Sequence, residues 1–452
     1  MDEQKLLAQI SPASMMSTIE RLCGGDFAGR RAGSPEHRLV VDYLARRFDE
    51  CGLSALNVPG TDGYKQPLTM RYSLVRSDDE IKAVLSYRAT GGRGPAQRTK
   101  VFAYRGYNGR GGLDIRSQVV FVGHGIRDPA SGRDDYAGLD VSGKVVLWMN
   151  GEPKNTKLSK PFTGARKMLT AYQLGAAACL VAVPKGFADQ WGTNVGLADA
   201  IADFPCIAVD EALASDLLSR KPAKLCAGAL GAEVRLQVTP VCDPQRSTYN
   251  VIAVLPGSDH AVAHEVVMVG AHSDHLGRDG GSYFPGADDN ASGTAVVLET
   301  ARAIRRAGLI PRRTIVFAAW TGEEAGLVGS NYFVAHPPFP LKEIVSNIEL
   351  DMVGSGTPGV FATSGVSAFP DNHRFIATSA RDLGLKLKPD SIVGASDNLA
   401  FARKKSPTSL ISACGEHPNY HTGRDAPAAI NRGVLESAAR LAALSVWRAA
   451  NG

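Results

Sequence analysis

Four short apolar runs in the second half of this chain each give way to acids and imidazoles, and that repetition constrains the fold more than any other feature. Residues 265–271 lead into His272-Ser-Asp274-His275, and residues 314–320 into Thr321-Gly-Glu323-Glu324. Residues 347–350 lead into Asp351, and residues 408–411 precede Pro418-Asn-Tyr420-His421-Thr-Gly-Arg-Asp425. The runs have strand length, as does another over 250–255. An expected helix over about 292–307, closed by Gly308 where a left-handed cap is favoured, is interleaved with them. This alternation describes an α/β domain, a mixed and largely parallel sheet flanked by helices, in which ligands bind outside the carboxyl ends of the strands.

With 452 residues, the chain is too long for one ordinary core, so two domains are expected. Ser34-Pro35-Glu36 supplies an N-cap, a first-turn proline and an early acid to a helix whose Val40, Leu44 and Phe48 recur every fourth residue, and Gly52 ends it. From about residue 73 the texture changes to short strand-like runs with Gly-rich turns. Strands are expected over 117–123, 143–149 and 178–183, with a helix over 165–175. The expected organisation is therefore 1–72 and 246–452 as two parts of one catalytic domain, with 73–245 inserted as a β-rich module.

Composition removes several functional classes. A net charge of +5 and the absence of a long, aromatic-laced Lys/Arg block argue against nucleic acid. The longest apolar stretch, 174–183, is about half of what a membrane span needs. Seven cysteines with no Cys-x-x-Cys spacing argue against a disulfide framework and a zinc–thiolate site. The N-terminus lacks the basic start and apolar core of a secretion signal, so the expectation is a cytoplasmic protein if the chain is complete, and a periplasmic or secreted one if a leader was trimmed.

A Glu-Glu pair such as Glu323-Glu324 is ordinarily solvated surface; its neighbours change that reading. Two zinc ions a few Å apart need a shared carboxylate and terminal imidazole or carboxylate ligands on each side. Asp289, in the glycine-flanked loop Gly286-Ala-Asp288-Asp289-Asn290-Ala-Ser-Gly293, is the natural bridge. His272 and Asp351 would complete one position, and Glu324 and His421 the other. Glu323 is then free to take a proton from the attacking water and return it to a leaving amine, while Asp274 could orient the His272 ring. Such a centre hydrolyses amides. His275 could support the site or face substrate, and Asp288 reads as a loop hydrogen-bonder. His37, His124, His260 and His373 have no acidic companions and read as ordinary surface or loop, while Pro418 argues against a helical His417/His421 ligand pair.

These motifs resemble the di-zinc exopeptidases that include bacterial leucyl aminopeptidases and glutamate carboxypeptidase II. The likeness lies in His272-x-Asp274, Gly286 to Gly293, Glu323-Glu324-x-Gly326-Leu-x-Gly-Ser330, Leu350-Asp351-Met352 and Tyr420-His421-Thr422-x-x-Asp425, in the family's order over roughly 245–430. Ala28-Gly-Arg-x-Ala-Gly33 looks like the family's N-terminal segment. The resemblance implies the same five ligands, two Zn2+ per chain with Co2+ or Mn2+ as alternatives, and Glu323 as base. Ser396-Asp397 resembles the family's late Ser-Asp-His motif, with Asn398 in the histidine's place. The oxyanion-stabilising tyrosine of some relatives aligns with Val393, which leaves Tyr420 as the candidate. Phe121 to Ile126, Asp134 to Asp140 and Gly143 to Val146 resemble a protease-associated domain.

The implied activity is a metallo-aminopeptidase acting on peptide substrates, with no nucleic acid partner and no membrane span. A carboxypeptidase or dipeptidase on the same scaffold is the alternative, since Arg278, Arg403 and Arg424 could grip a substrate carboxylate. Glutaminyl cyclases share the fold but normally use one zinc, and receptor-like inactive relatives lose ligands or the base. The oligomeric state is left open.

Overall fold

The computed structural model describes residues 2–56, 58–70, 81–88, 98–103, 112–153, 156–159, 164–183, 204–240, 246–279, 282–389 and 396–452. It divides into two compact units, Met1–Arg71 with Gln245–Gly452, and Tyr72–Pro244.

The first unit is built on a nine-stranded mixed sheet. At its centre Thr314–Trp320, Val266–His272, Ile344–Leu350 and Ser409–Ala413 lie side by side, all parallel. Arg246–Leu255 joins antiparallel next to Thr314–Trp320, and Val360–Thr363 joins antiparallel next to Ser409–Ala413. Val266–His272 is buried at every position, as a strand covered on both faces must be. Its Val267, Val269 and Ala271 join the cluster built with Phe317 and the helices Pro12–Leu22, Pro35–Glu50, Gly293–Arg306 and Arg432–Asn451. Its Val266 and Met268 face the opposite layer, where Trp320 packs against Phe333 and Phe401 with ring centroids 5.1 and 5.8 Å away. Truncating a ring buried in this way typically costs about 3–5 kcal/mol.

The expected α/β sheet is therefore present, and the strand runs read from the sequence fall on strands of its core. Ser34 caps the helix Pro35–Glu50 by accepting from the His37 amide, and Gly308 follows the helix Gly293–Arg306 at φ +65°.

The second unit has a seven-stranded sheet in the order Cys206–Asp210, Ala178–Val183, Val145–Met149, Leu113–Phe121, Leu230–Pro240, Ile81–Tyr87 and Arg98–Ala103. The first four strands are parallel and the rest pair antiparallel. Helices Gly164–Gln173 and Glu211–Leu218 belong to this unit, and apolar clusters cover both faces of the sheet. Cys179 is fully buried, and none of the six described cysteines is in a disulfide. No described helix is long and apolar enough to cross a membrane.

Candidate metal centre

The four central parallel strands of the first unit all point their carboxyl ends the same way, and each is followed by site residues. His272 closes one strand, with Ser273, Asp274 and His275 in the loop behind it; Glu323 and Glu324 follow Trp320, and Asp351 follows Leu350. His421 lies in the turn region after Ser409–Ala413, and Asp289 in the turn Ala287–Ser292 that opens the helix Gly293–Arg306.

These side chains meet. Asp289 turns one oxygen each way: Oδ1 lies 3.3 Å from His272 Nε2, and Oδ2 lies 3.1 Å from His421 Nε2. Asp351 Oδ1 is 3.5 Å from His272 Nε2, and Glu324 Oε2 is 3.3 Å from His421 Nε2. A tetrahedral ion with bonds of 2.0–2.1 Å separates its ligand atoms by about 3.3 Å, so these are the edges that such an ion would span. The hydrogen-bond pattern agrees. His272 Nε2, Glu324 Oε1 and Asp351 Oδ1 are buried with no aligned hydrogen-bond partner, a state that costs about 1–3 kcal/mol per group unless something else satisfies it. The donor set of imidazole nitrogen and carboxylate oxygen fits zinc or a similar divalent ion.

Charge supports the same conclusion. Burial by itself would lower the His272 pKa, but the Asp351 and Glu323 carboxylates outweigh it and hold the ring well above its ordinary value. Burial raises Glu323 well above the usual carboxylate range, with Glu324, Asp351 and Asp397 adding to the rise against His272. Its neighbour goes the other way. Burial would raise Glu324 too, yet His421 and His275 bring it down to about 2. Two adjacent glutamates are thus held in opposite protonation preferences by what each faces.

The remaining sequence candidates take particular places. Asp274 is buried, and its Oδ1 accepts from the Glu323 amide at 3.2 Å; the atom closest to His272 Nδ1 is the Asp274 carbonyl at 3.2 Å, with the carboxylate at 3.8 Å. Tyr420 stacks on His421 with centroids 3.8 Å apart. Asp288, as a loop hydrogen-bonder, accepts from the Gly354 amide at 2.8 Å and holds His417 Nδ1 at 2.8 Å. Asp425 accepts from the amides of Asp288 and Asp289 at 2.9 and 3.0 Å, which fixes the backbone beneath the Asp289 carboxylate. Asn398 donates to Ser364 Oγ, whereas Val393 lies outside the described residues.

Two histidines that read as ordinary surface or loop are buried. His37 packs under the site with Nε2 3.3 Å from Ser273 Oγ and Nδ1 3.4 Å from Thr248 Oγ1, and burial with Arg30 and Arg38 nearby pushes it down to about 3. A neutral imidazole with two hydroxyl neighbours can be buried without an acid. His373 is also buried, with Nε2 3.1 Å from Thr363 Oγ1.

Arg30 is the residue that sequence reasoning passed over. Its guanidinium is fully buried and donates to backbone carbonyls: Ser273 at 3.1 Å, Leu22 at 3.4 Å, Gly286 at 2.6 Å, Asp289 at 3.3 Å, and Pro285. One side chain thereby ties the loop after His272 to the turn that carries Asp289. The motif Ala28-Gly-Arg-x-Ala-Gly33 was a signal for it, but all of its target carbonyls except that of Leu22 are more than 240 residues away in sequence.

Fold and candidate site together define an α/β domain that gathers buried imidazole and carboxylate donors at the carboxyl ends of its central parallel strands. Residues 250–446 match Peptidase family M28. It is 43% identical over 114 residues to leupeptin-inactivating enzyme 1 of Streptomyces exfoliatus, covering 25% of this chain and 24% of that protein. It is 31% identical over 230 residues to leucine aminopeptidase 2 of Trichophyton equinum, 44% of each. The chain thus spans less than half the length of these curated relatives. Among solved structures it shares its fold with an aminopeptidase from Aneurinibacillus sp. strain AM-1, with a TM-score of 0.68 at 22% identity over 99% of this chain and 96% of that one. A zinc aminopeptidase from Bacillus subtilis gives 0.65 at 21% over 98% and 96%.

Proposed function

We propose that this chain is a co-catalytic di-zinc aminopeptidase that removes N-terminal residues from peptides. The observation that carries this reading is the division of Asp289 between two groups of buried donor atoms, at 3.3 Å on one side and 3.1 Å on the other. His272 and Asp351 would hold one ion with Asp289, and Glu324 and His421 the second. When bound, such a pair polarises an amide carbonyl and lowers the pKa of the attacking water.

The protein's own residues supply the rest. Glu323 is the group suited to accept the proton of that water and pass it to the leaving amine, since burial has raised its proton affinity well above that of an ordinary carboxylate. Asp274 accepts from the Glu323 amide and so holds that glutamate's backbone at the site. Tyr420, stacked on His421, is our candidate to donate to the developing oxyanion. The inserted unit, which we read as a protease-associated domain, contributes none of these residues.

Zinc and the aminopeptidase direction are supported by the names of the relatives, leucine aminopeptidase 2 and the zinc aminopeptidase of the shared fold. Aminoacyl and N-blocked peptide substrates test the direction: turnover should require a free amino group, and equal turnover of the blocked series would move the assignment to a carboxypeptidase or endopeptidase. Metal analysis should find two zinc-class ions per chain, and a metal-free protein of full activity would end the reading.

A further inference from the structure

His275 has no role in the ligand set above, yet its surroundings are those of a ligand. Its side chain is fully buried, and neither ring nitrogen has an aligned hydrogen-bond partner. Nδ1 lies 2.7 Å from Glu324 Oε1 and 3.8 Å from Asp289 Oδ2, and Glu324 Oε1 also lacks an aligned partner. These nitrogen and oxygen atoms gather within 4.8 Å of one another without being directed at one another. His272, Asp289 and Asp351 gather in the same manner on the other side of Asp289.

The ring has little freedom to be elsewhere. It packs against Gly286, which is in the left-handed region at φ +60° and where a Cβ would come within 2.5 Å of the ring carbons. The Gly286 carbonyl is in turn held by Arg30 at 2.6 Å. The His421 ring stands 5.8 Å away at 67°, so two imidazoles flank the same pair of carboxylates.

We propose that His275 is a further protein ligand, so that the position held by Glu324, His421 and Asp289 carries two imidazoles while the position held by His272, Asp351 and Asp289 carries one. The inference rests on the paired-ion reading above. It makes the two positions chemically unequal. The two-imidazole position favours zinc, and the carboxylate-rich one accepts harder ions such as manganese more readily.

The test uses the full chain, stripped with a chelator and titrated calorimetrically with Zn2+. The unaltered protein should show two binding events. In His275→Ala and His275→Gln one of the two affinities should fall by about 10-fold or more while the other holds. The glutamine amide can still donate to Glu324 but ligates zinc poorly, so a Gln variant that keeps both affinities makes His275 a mere hydrogen-bond donor and overturns the proposal. X-ray absorption at the zinc edge of the unaltered, fully loaded protein does not depend on a variant folding: three imidazoles per two zinc ions supports the proposal and two overturns it. If the unaltered protein fails to take up two ions, the paired-ion reading itself fails, and that outcome is distinct from a variant losing nothing.

Discussion

The two units end their parallel strands in similar ways and treat the polar groups found there in opposite ways. In the first unit the strand ends deliver His272, Glu324 and Asp351, and each keeps a buried atom without an aligned partner. In the second, Leu113–Phe121, Val145–Met149, Ala178–Val183 and Cys206–Asp210 are also parallel, and a cavity of about 450 Å³ lined by His124, Asn150, Glu211 and Lys221 lies at their carboxyl ends. There several of the nearby polar groups have aligned partners. His124 Nδ1 and Lys167 Nζ both reach the Gly151 carbonyl, at 3.1 and 2.5 Å, and Asp135 accepts from the amides of His124 and Ile126. Parallel strands offer a place for chemistry in both units. What distinguishes the first is that its donors point at a shared space rather than at one another.

The hardest test of that contrast is Asp289→Ala. Both positions lose their shared carboxylate, so metal content should fall for both ions and hydrolysis should drop below that of any other single variant. Lys167→Met, the equivalent deletion of a buried charge in the second unit, should leave metal content and turnover unchanged. Elemental analysis and turnover on an aminoacyl substrate read both, and metal loss in the lysine variant would break the comparison.

Glu323→Gln comes next. It should keep both ions and lower kcat by about 10²- to 10⁴-fold, the usual range for removing a general base. Glu324→Gln should instead lose an ion. Similar metal contents in the two variants would mean that the doublet is not divided into a base and a ligand.

Arg30→Met should act through the scaffold. It leaves at least four buried carbonyls without their charged donor, so the first unit should lose about 3 kcal/mol of stability, and zinc affinity should weaken by about 10- to 100-fold. Arg30→Lys should recover part of the affinity. Unfolding in urea with and without zinc checks both, and an unchanged affinity in the methionine variant would reduce Arg30 to a packing residue.

The strands and most of the centre were legible because local pattern and chemistry coincide there. A run such as 315–320 is apolar throughout because both sheet faces are covered, and the acids begin where that cover ends. Residues whose role depends on distant partners were harder to read. Arg30 acts on Ser273 and Gly286, and no local pattern announces a guanidinium that serves such distant carbonyls. His37 looked like surface because its partners, Thr248 and Ser273, are more than 200 residues away in sequence. The helix Arg432–Asn451 is buried around much of its circumference through residues such as Ala438, Ala443 and Leu444, so the apolar stripe that marks a surface helix is blurred.

The smallest expected effect concerns how the second unit holds its buried charge. Burial depresses Lys167 to about 8 from an ordinary 10.5, against the raising pull of Glu152 and Asp135 and with Arg133 adding to the fall. Between about pH 8 and 10.5 the unfolded chain therefore binds the proton that the folded unit has released. Stability of this unit should rise with pH through that window, by about 1 kcal/mol once partial solvent screening is allowed for. Below pH 8 both states are protonated, and the slope should vanish. Lys167→Met should remove the slope while leaving zinc binding in the first unit untouched. Pulsed hydrogen exchange on peptides covering Val145–Met149, after equilibration in urea at each pH, measures this unit separately. A slope that survives in Lys167→Met would assign the pH dependence to another group.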